Sequence, residues 1–215
     1  VAAGWEVETV FTAAGSDPPD AVALARAAGA DVAALATGVM ARVATTETPP
    51  SVVAVVRTRT RGLDDLAGAG FLLVGDRIGD PGNAGTMLRS AEAAGADAVV
   101  FTAGSVDPFN PKVVRSSAGA LFHVPVVVGV ELADVAALAG IRIYGTTSHG
   151  ATPHTEVDLR ARCAVVVGNE AHGLAADAPI DTWITIPHRG RAESLNVAMA
   201  ATVLVFEVAR QRGGR

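Results

Sequence analysis

The sequence predicts an α/β fold, a mostly parallel sheet flanked by helices, and three observations lead there. Short and nearly continuous apolar runs, such as Phe71-Leu72-Leu73-Val74 and Cys163-Ala164-Val165-Val166-Val167, read as strands buried on both faces. These runs alternate with helical segments, the pattern of a parallel sheet covered on both sides. Gly, Asn, Glu, Ser and Arg collect in the loops after three of the strands, where open parallel sheets bind ligands.

In chain order, Glu6 to Thr12 reads as a strand. Asp17-Pro18-Pro19-Asp20 caps a helix over Ala21 to Ala28, which Gly29 ends. A second helix is expected within Ala33 to Ala41, before Thr48-Pro49-Pro50 breaks the chain and the β-branched run Ser51 to Val56 forms a strand. Arg57-Thr58-Arg59-Thr60-Arg61-Gly62 is a polar, basic connector. The spacing therefore predicts a small domain over 1–56, a linker over 57–67 and a larger domain over 68–215. In the larger domain strands are expected at Phe71–Val74, Ala98–Phe101, Val124–Val128, Ile141–Tyr144, Cys163–Val167 and Trp183–Ile186. Helices are expected from about Ala84 to Ala94, stopped by Gly95, and near Leu195 to Gln211.

Composition narrows the function classes. Half of the 215 residues are hydrophobic and 18% are charged, which excludes a disordered chain. With six Phe, two Trp and one Tyr, small residues do the packing. No apolar run approaches the roughly 20 residues of a membrane span. The N-terminus lacks a signal peptide and an initiator Met, so the chain is expected to begin inside a longer protein. The single cysteine, Cys163, reads as a small buried hydrophobe, and the protein as cytoplasmic. The net charge of −5 gives no bulk attraction to nucleic acid, so an anionic partner must meet a local patch. Of the 17 basic residues one is Lys112 and the rest are Arg. That bias fits either a GC-rich coding sequence or selection for bidentate phosphate contacts.

Three loops could carry chemistry. The first runs from Asp76 through Gly79, Asp80, Pro81, Gly82, Asn83 and Gly85 to Arg89. Its glycine spacing matches neither a dinucleotide fingerprint nor a phosphate-binding NTPase loop, and alone it also fits a tight turn with a capping Asn. The second, Gly168-Asn169-Glu170-Ala171-His172-Gly173-Leu174, sets an acid directly after a buried strand; alone, that acid also fits a solvated carboxylate. The third runs from Ile186-Pro187-His188 to Glu193-Ser194-Leu195-Asn196-Val197, where Ser194 also fits the N-cap of the last helix. His172 and His188 have no partner at metal-ligand spacing, so no metal site is expected. No G-x-S-x-G element suggests a serine hydrolase.

Taken together and in this order, the loops resemble the three motifs of the SpoU, or TrmH-type, branch of the SPOUT methyltransferases. The match covers about Phe71 to Arg210, and Arg115-Ser116-Ser117-Ala118-Gly119-Ala120 resembles the family's segment between the first two motifs. His188 departs from it, standing where the family often has Met. The resemblance implies S-adenosyl-L-methionine-dependent 2′-O-ribose methylation of RNA, with ribosomal RNA as the expected substrate and tRNA as the alternative. It also implies a C-terminal trefoil knot and a homodimer with the active site near the subunit interface. Residues 1–56 resemble the later part of the small α/β RNA-binding domain that often precedes this catalytic domain.

A ribose 2′-hydroxyl is a poor nucleophile, so the enzyme must position it in line and help its proton leave. By resemblance Arg89 is the residue assigned to activating the hydroxyl. A guanidinium with a pKa above about 12 is a reluctant base, which favours phosphate clamping and stabilisation of negative charge on oxygen. Asn83 and Glu170 are expected to orient Arg89 or the ribose, and Ser194 and Asn196 to complete the hydrogen-bond set. Gly145, Thr146, Gly168, Ile186 and Leu195 are the expected cofactor contacts. Two other classes remain: a non-catalytic RNA-binding protein of this fold, and a nucleotide-binding α/β enzyme. The first is opposed by the intact polar set and the second by the missing fingerprints.

Overall fold

The computed structural model describes residues 2–17, 19–44, 48–191 and 193–213. Val1, Pro18 of the expected helix cap, residues 45–47, Ala192 of the third loop and residues 214–215 lie outside the described residues. The chain divides into two compact units, Val1–Arg59 and Thr60–Arg215.

In the first unit, β1 (Val7–Thr12) lies between β2 (Asp31–Ala34), parallel to it, and β3 (Val52–Val56), antiparallel. Helix α1 (Asp20–Ala27) buries Val22 and Ala25 with Val10 and Ala30. The expected helix within 33–41 is replaced by β2 and a short helix α2 (Val39–Val43). Pairing of Val10 with Val32 and Phe11 with Ala33 fixes those residues as strand, a tertiary gain larger than alanine's helix propensity.

The described residues of the second unit form seven strands: β4 (Phe71–Gly75), β5 (Ala98–Thr102), β6 (Val126–Val130), β7 (Arg142–Thr146), β8 (Thr152–Pro153), β9 (Cys163–Val167) and β10 (Thr182–Thr185). Their order is β6-β5-β4-β9-β7-β10-β8, and every pairing is parallel. Strands β4, β5 and β9 are buried along their whole length, as their unbroken apolar runs require. One core joins Leu73, Val99 and Val165 to helices α3 (Pro81–Ala94) and α6 (Val197–Gln211). The opposite face packs Leu72, Val74 and Val166 against α5 (Leu132–Ala136) and Leu66. Helix α4 (Pro111–Ser116) packs on α3.

Several boundaries differ from those read in the sequence. Strand β6 begins two residues late because Pro125 has no N–H for the ladder. Helix α3 begins at Pro81, since the Asp80 side chain accepts the Asn83 N–H at 2.8 Å and caps it. Asn196, not Ser194, caps α6, accepting from Ala198 N and Met199 N. Residues Leu63–Leu66, expected as linker, form a 3-10 turn that buries Leu66 in the second core.

The C-terminal end of α6 is fastened at the amino ends of the central strands β4 and β9. Arg212 donates to the carbonyls of Leu159, Ala161 and Gly70 and lies over the Phe71 ring, and the Gln211 side chain bonds Leu159 N and Val157 O. Among the described residues no helix is long and apolar enough to cross a membrane.

Helices α3 and α4 touch where Gly85 meets Ser116. A Cβ on Gly85 would collide with the serine side chain and lie 2.8 Å from its carbonyl carbon, which cannot swing away. Gly85→Ala is therefore expected to destabilise the protein by about 1–3 kcal/mol, read as a lower urea midpoint at unchanged slope.

Candidate functional site

In chain order β7 is laid down before β9, and β9 then fills the place between β4 and β7. The loops leaving β4 and β9 therefore emerge side by side at the carboxyl ends of the strands, where open α/β sheets bind ligands. Glu170, in the second loop, receives the Gly79 N–H at 3.2 Å, the Asp80 N–H at 3.2 Å and the Asn83 side-chain amide at 3.0 Å. The Asn83 carbonyl oxygen in turn accepts the Asn196 amide at 3.0 Å. One polar run, Glu170 to Asn83 to Asn196, thus ties the three loops together. Asn169 fixes the second loop: its amide donates to Arg77 O at 2.8 Å and its oxygen accepts Ala171 N and His172 N.

Burial alone would push the Glu170 carboxyl up. Donation from Asn83 and from the backbone N–H groups of Glu170, Gly79 and Asp80 outweighs it and holds the group below its ordinary range. The acid is an anion held by neutral donors.

Beside this run lies a cavity of about 960 Å³, within the size range of small-molecule sites. Thr146, Gly168, Glu170, Ile186, Ser194, Leu195 and Asn196 line it. Gly168 is required by contact: a Cβ there would collide with the Gly173–Leu174 peptide and come within 2.7 Å of Gly173 O, because the loop closes back on itself. Three residues singled out in the sequence stand apart from the lining. Gly145 is buried beneath it, with Ile180 packed on its face. Asn83 reaches the site only through Glu170 and Asn196. Arg89 is exposed on α3, about 9 Å along the axis from Asn83 and a third of a turn round. It makes no hydrogen bond or ion pair with the described residues.

Other lining residues carry no motif that would mark them in the sequence, among them Thr147, Ser148 and Trp183. His188 also lines the cavity, and its Nε2 is buried without a hydrogen-bond partner among the described residues. Such an atom costs stability unless something pairs with it. No group of three or more His, Cys, Asp and Glu residues able to hold a metal comes together among the described residues.

Fold and site together define a parallel α/β protein with a ligand cavity and a fixed carboxylate at the switch point of its sheet. The model of the SpoU rRNA Methylase family matches residues 70–206, and the chain belongs to that family. It is 41% identical over 167 residues to the 23S rRNA (guanosine(2553)-2′-O)-methyltransferase RlmP of Bacillus subtilis, covering 76% of this chain and 66% of that protein. It is 37% identical over 182 residues to the 23S rRNA (uridine(2479)-2′-O)-methyltransferase of Streptomyces viridochromogenes, covering 77% and 62%. The chain thus spans just under two thirds of the length of these relatives. The crystal structure of the SpoU methyltransferase AviRb from Streptomyces viridochromogenes, in complex with AdoMet, superposes with a TM-score of 0.86 at 33% identity, covering 98% of this chain and 85% of that one. The AdoMet-bound rRNA methyltransferase from Sinorhizobium meliloti gives 0.87 at 28% identity, covering 97% and 82%.

The lowered Glu170 pKa has a signed consequence. Its contribution to stability is fully present above the unfolded value of about 4.3 and is lost as pH falls through the lower folded value. Glu170→Gln is thus expected to melt below the parent at neutral pH, with the gap narrowing under about pH 4; a gap constant to pH 3 would contradict the bonding described.

Proposed function

We propose that this protein is an S-adenosylmethionine-dependent RNA 2′-O-ribose methyltransferase that acts on ribosomal RNA in the cytoplasm as a homodimer. The observation that carries the reading is the Glu170–Asn83–Asn196 run at the rim of a cavity walled by Gly168, Ile186 and Leu195. Family membership and the 23S rRNA named for both relatives favour the substrate.

The residues present fit the cofactor. The close packing of Gly168 on the Gly173–Leu174 peptide sets backbone groups along the wall, Ile186 and Leu195 offer apolar cover, and Thr146 and His188 Nε2, unpaired among the described residues, offer polar contacts. Gly145 acts from behind the wall by admitting Ile180. When bound, S-adenosylmethionine supplies a methyl group made electrophilic by its sulfonium.

This chain's residues then position the ribose. Arg89 holds an RNA phosphate and stabilises negative charge on the 2′-oxygen, a role that suits a guanidinium better than proton removal does. Glu170 fixes Asn83, Asn83 and Asn196 orient the ribose, and the exposed Ser194 hydroxyl completes the set. Residues 1–56 hold RNA.

Two features of α6 support the assembly. Leu195, just before the helix, and Met199, Val203 and Phe206 on it are 38–62% exposed and recur at helical spacing, an apolar stripe suited to a second copy. The reading includes a C-terminal trefoil knot. The late insertion of β9 and the fastening of Gln211 and Arg212 to residues 157–163 suit a threaded segment that must not slip out.

Arg89→Ala is expected to lower the methyl-transfer rate by about 100-fold or more with S-adenosylhomocysteine affinity little changed. Equal loss of both would make Arg89 a cofactor or structural residue. The acceptor is tested on RNA mapped in cells lacking the protein. A single 2′-deoxy sugar at the target should abolish methylation, and the methylated natural RNA should resist alkali at that linkage. Methylation of the deoxy substrate would place the acceptor on a base and overturn the reaction.

A further inference from the structure

Arg77 occupies a backbone conformation that side-chain-bearing residues rarely adopt, with a φ of 53°. Three contacts hold it there. Its N–H donates to Thr102 Oγ1 at 3.0 Å, its carbonyl accepts the Asn169 amide at 2.8 Å, and its Nε donates to Asp76 Oδ2 at 3.1 Å. Asp76 is itself nearly buried and fixed by Thr102 Oγ1 at 2.8 Å. The side chain passes over Gly104, where a Cβ would stand 3.5 Å from Arg77 Cγ. Only Nε of the guanidinium is used: its two terminal nitrogens bond to none of the described residues, and the side chain is 50% exposed.

This is a preorganised cation. Neutralising Asp76 requires one hydrogen bond and no left-handed backbone, yet the chain keeps an arginine in a strained conformation and leaves its planar fork facing water. The placement is specific. Arg77 stands two residues before Gly79, whose N–H meets Glu170, and Asn169, the neighbour of Glu170, holds its carbonyl. The Arg77 backbone therefore stands beside the second loop of the candidate site while its side chain runs over Gly104 after β5, leaving the half-exposed fork on that neighbouring surface, in a chain of net charge −5 that must meet any polyanion locally.

We infer that Arg77 is a substrate-positioning residue whose terminal guanidinium nitrogens bind a backbone phosphate of the RNA beside the reacting nucleotide. The inference rests on the RNA methyltransferase reading above. A bidentate fork on phosphate fixes the register of the strand while carrying no sequence information.

The test compares two neutral variants. Arg77→Gln keeps the backbone strain and loses the charge; Arg77→Asn loses the charge but relieves the strain, because Asn tolerates the left-handed region. Binding of unmodified 23S rRNA transcript is measured over a salt series, with S-adenosylhomocysteine affinity and melting temperature as folding controls. Both variants are expected to bind RNA about 5–10-fold more weakly and to lower the salt slope by about one, while Arg77→Lys retains most of that slope. Loss in Arg77→Gln alone, with the equally uncharged Arg77→Asn binding like the parent, would show that the charge is not what holds the RNA and overturn the inference. Parent-like affinity and slope in both neutral variants would also overturn it. Failure of the parent itself to bind RNA would instead refute the functional reading on which it rests.

Discussion

Insertion of five residues, Cys163–Val167, between two strands on which the rest of the sheet depends is the constraint that builds the second unit. Val165 pairs with Leu73 on one side and Tyr144 on the other, and each residue of the strand is buried on both faces. Without β9, the group β6-β5-β4 and the group β7-β10-β8 would each present an open edge of unpaired backbone groups to the interior. The strand closes both edges at once. It also delivers Gly168, Asn169 and Glu170 to the one place where the loop from β4 can reach them. The ordered sheet and the assembled site are thus products of the same pairing.

The polar run at the site is continuous with the helix termini. Asp80 caps α3 and, through its backbone N–H, helps hold Glu170; Asn196 caps α6 with its oxygen and spends its amide on Asn83. These side chains serve the fold and the site with different atoms. Glu170 is held by three donors from the first loop, so losing one leaves the carboxylate paired by the others. The arginines are different. Among the described residues Arg89 is untethered and Arg77 is tethered by Nε and its backbone alone, so both leave terminal donors for a ligand.

Much of this was legible in the sequence because the strands of a doubly covered parallel sheet must be apolar throughout. Phe71–Val74, Ala98–Phe101 and Cys163–Val167 were found almost to the residue. Where the signal was local and weak, tertiary pairing decided. Ala33 and Ala34 look helical by composition and belong to strand β2 because they pair with Phe11 and Thr12 of β1. The side chains of the polar run were legible as motif residues, but not their partners: the Gly79 and Asp80 donors are backbone groups, invisible to any reading of residue type. The emptiness around the Arg77 fork was equally illegible. It follows from a φ value and two distant acceptor and donor atoms on Thr102 and Asn169.

Charge gives these placements their weight. A chain with 22 acidic and 17 basic groups repels RNA at long range, and at physiological ionic strength that field fades over about 8 Å. Attraction then has to come from cations already aimed when the strand arrives, since a flexible side chain would lose conformational entropy on contact and regain little from a net-negative surround. A fork pinned through Nε has given up most of that entropy during folding. The bond to Asp76 removes part of its charge, but it leaves both terminal nitrogens in the plane that a phosphate requires. For an acidic chain that meets a polyanion as proposed, one arginine fixed in this way achieves more than a basic residue added elsewhere on the surface.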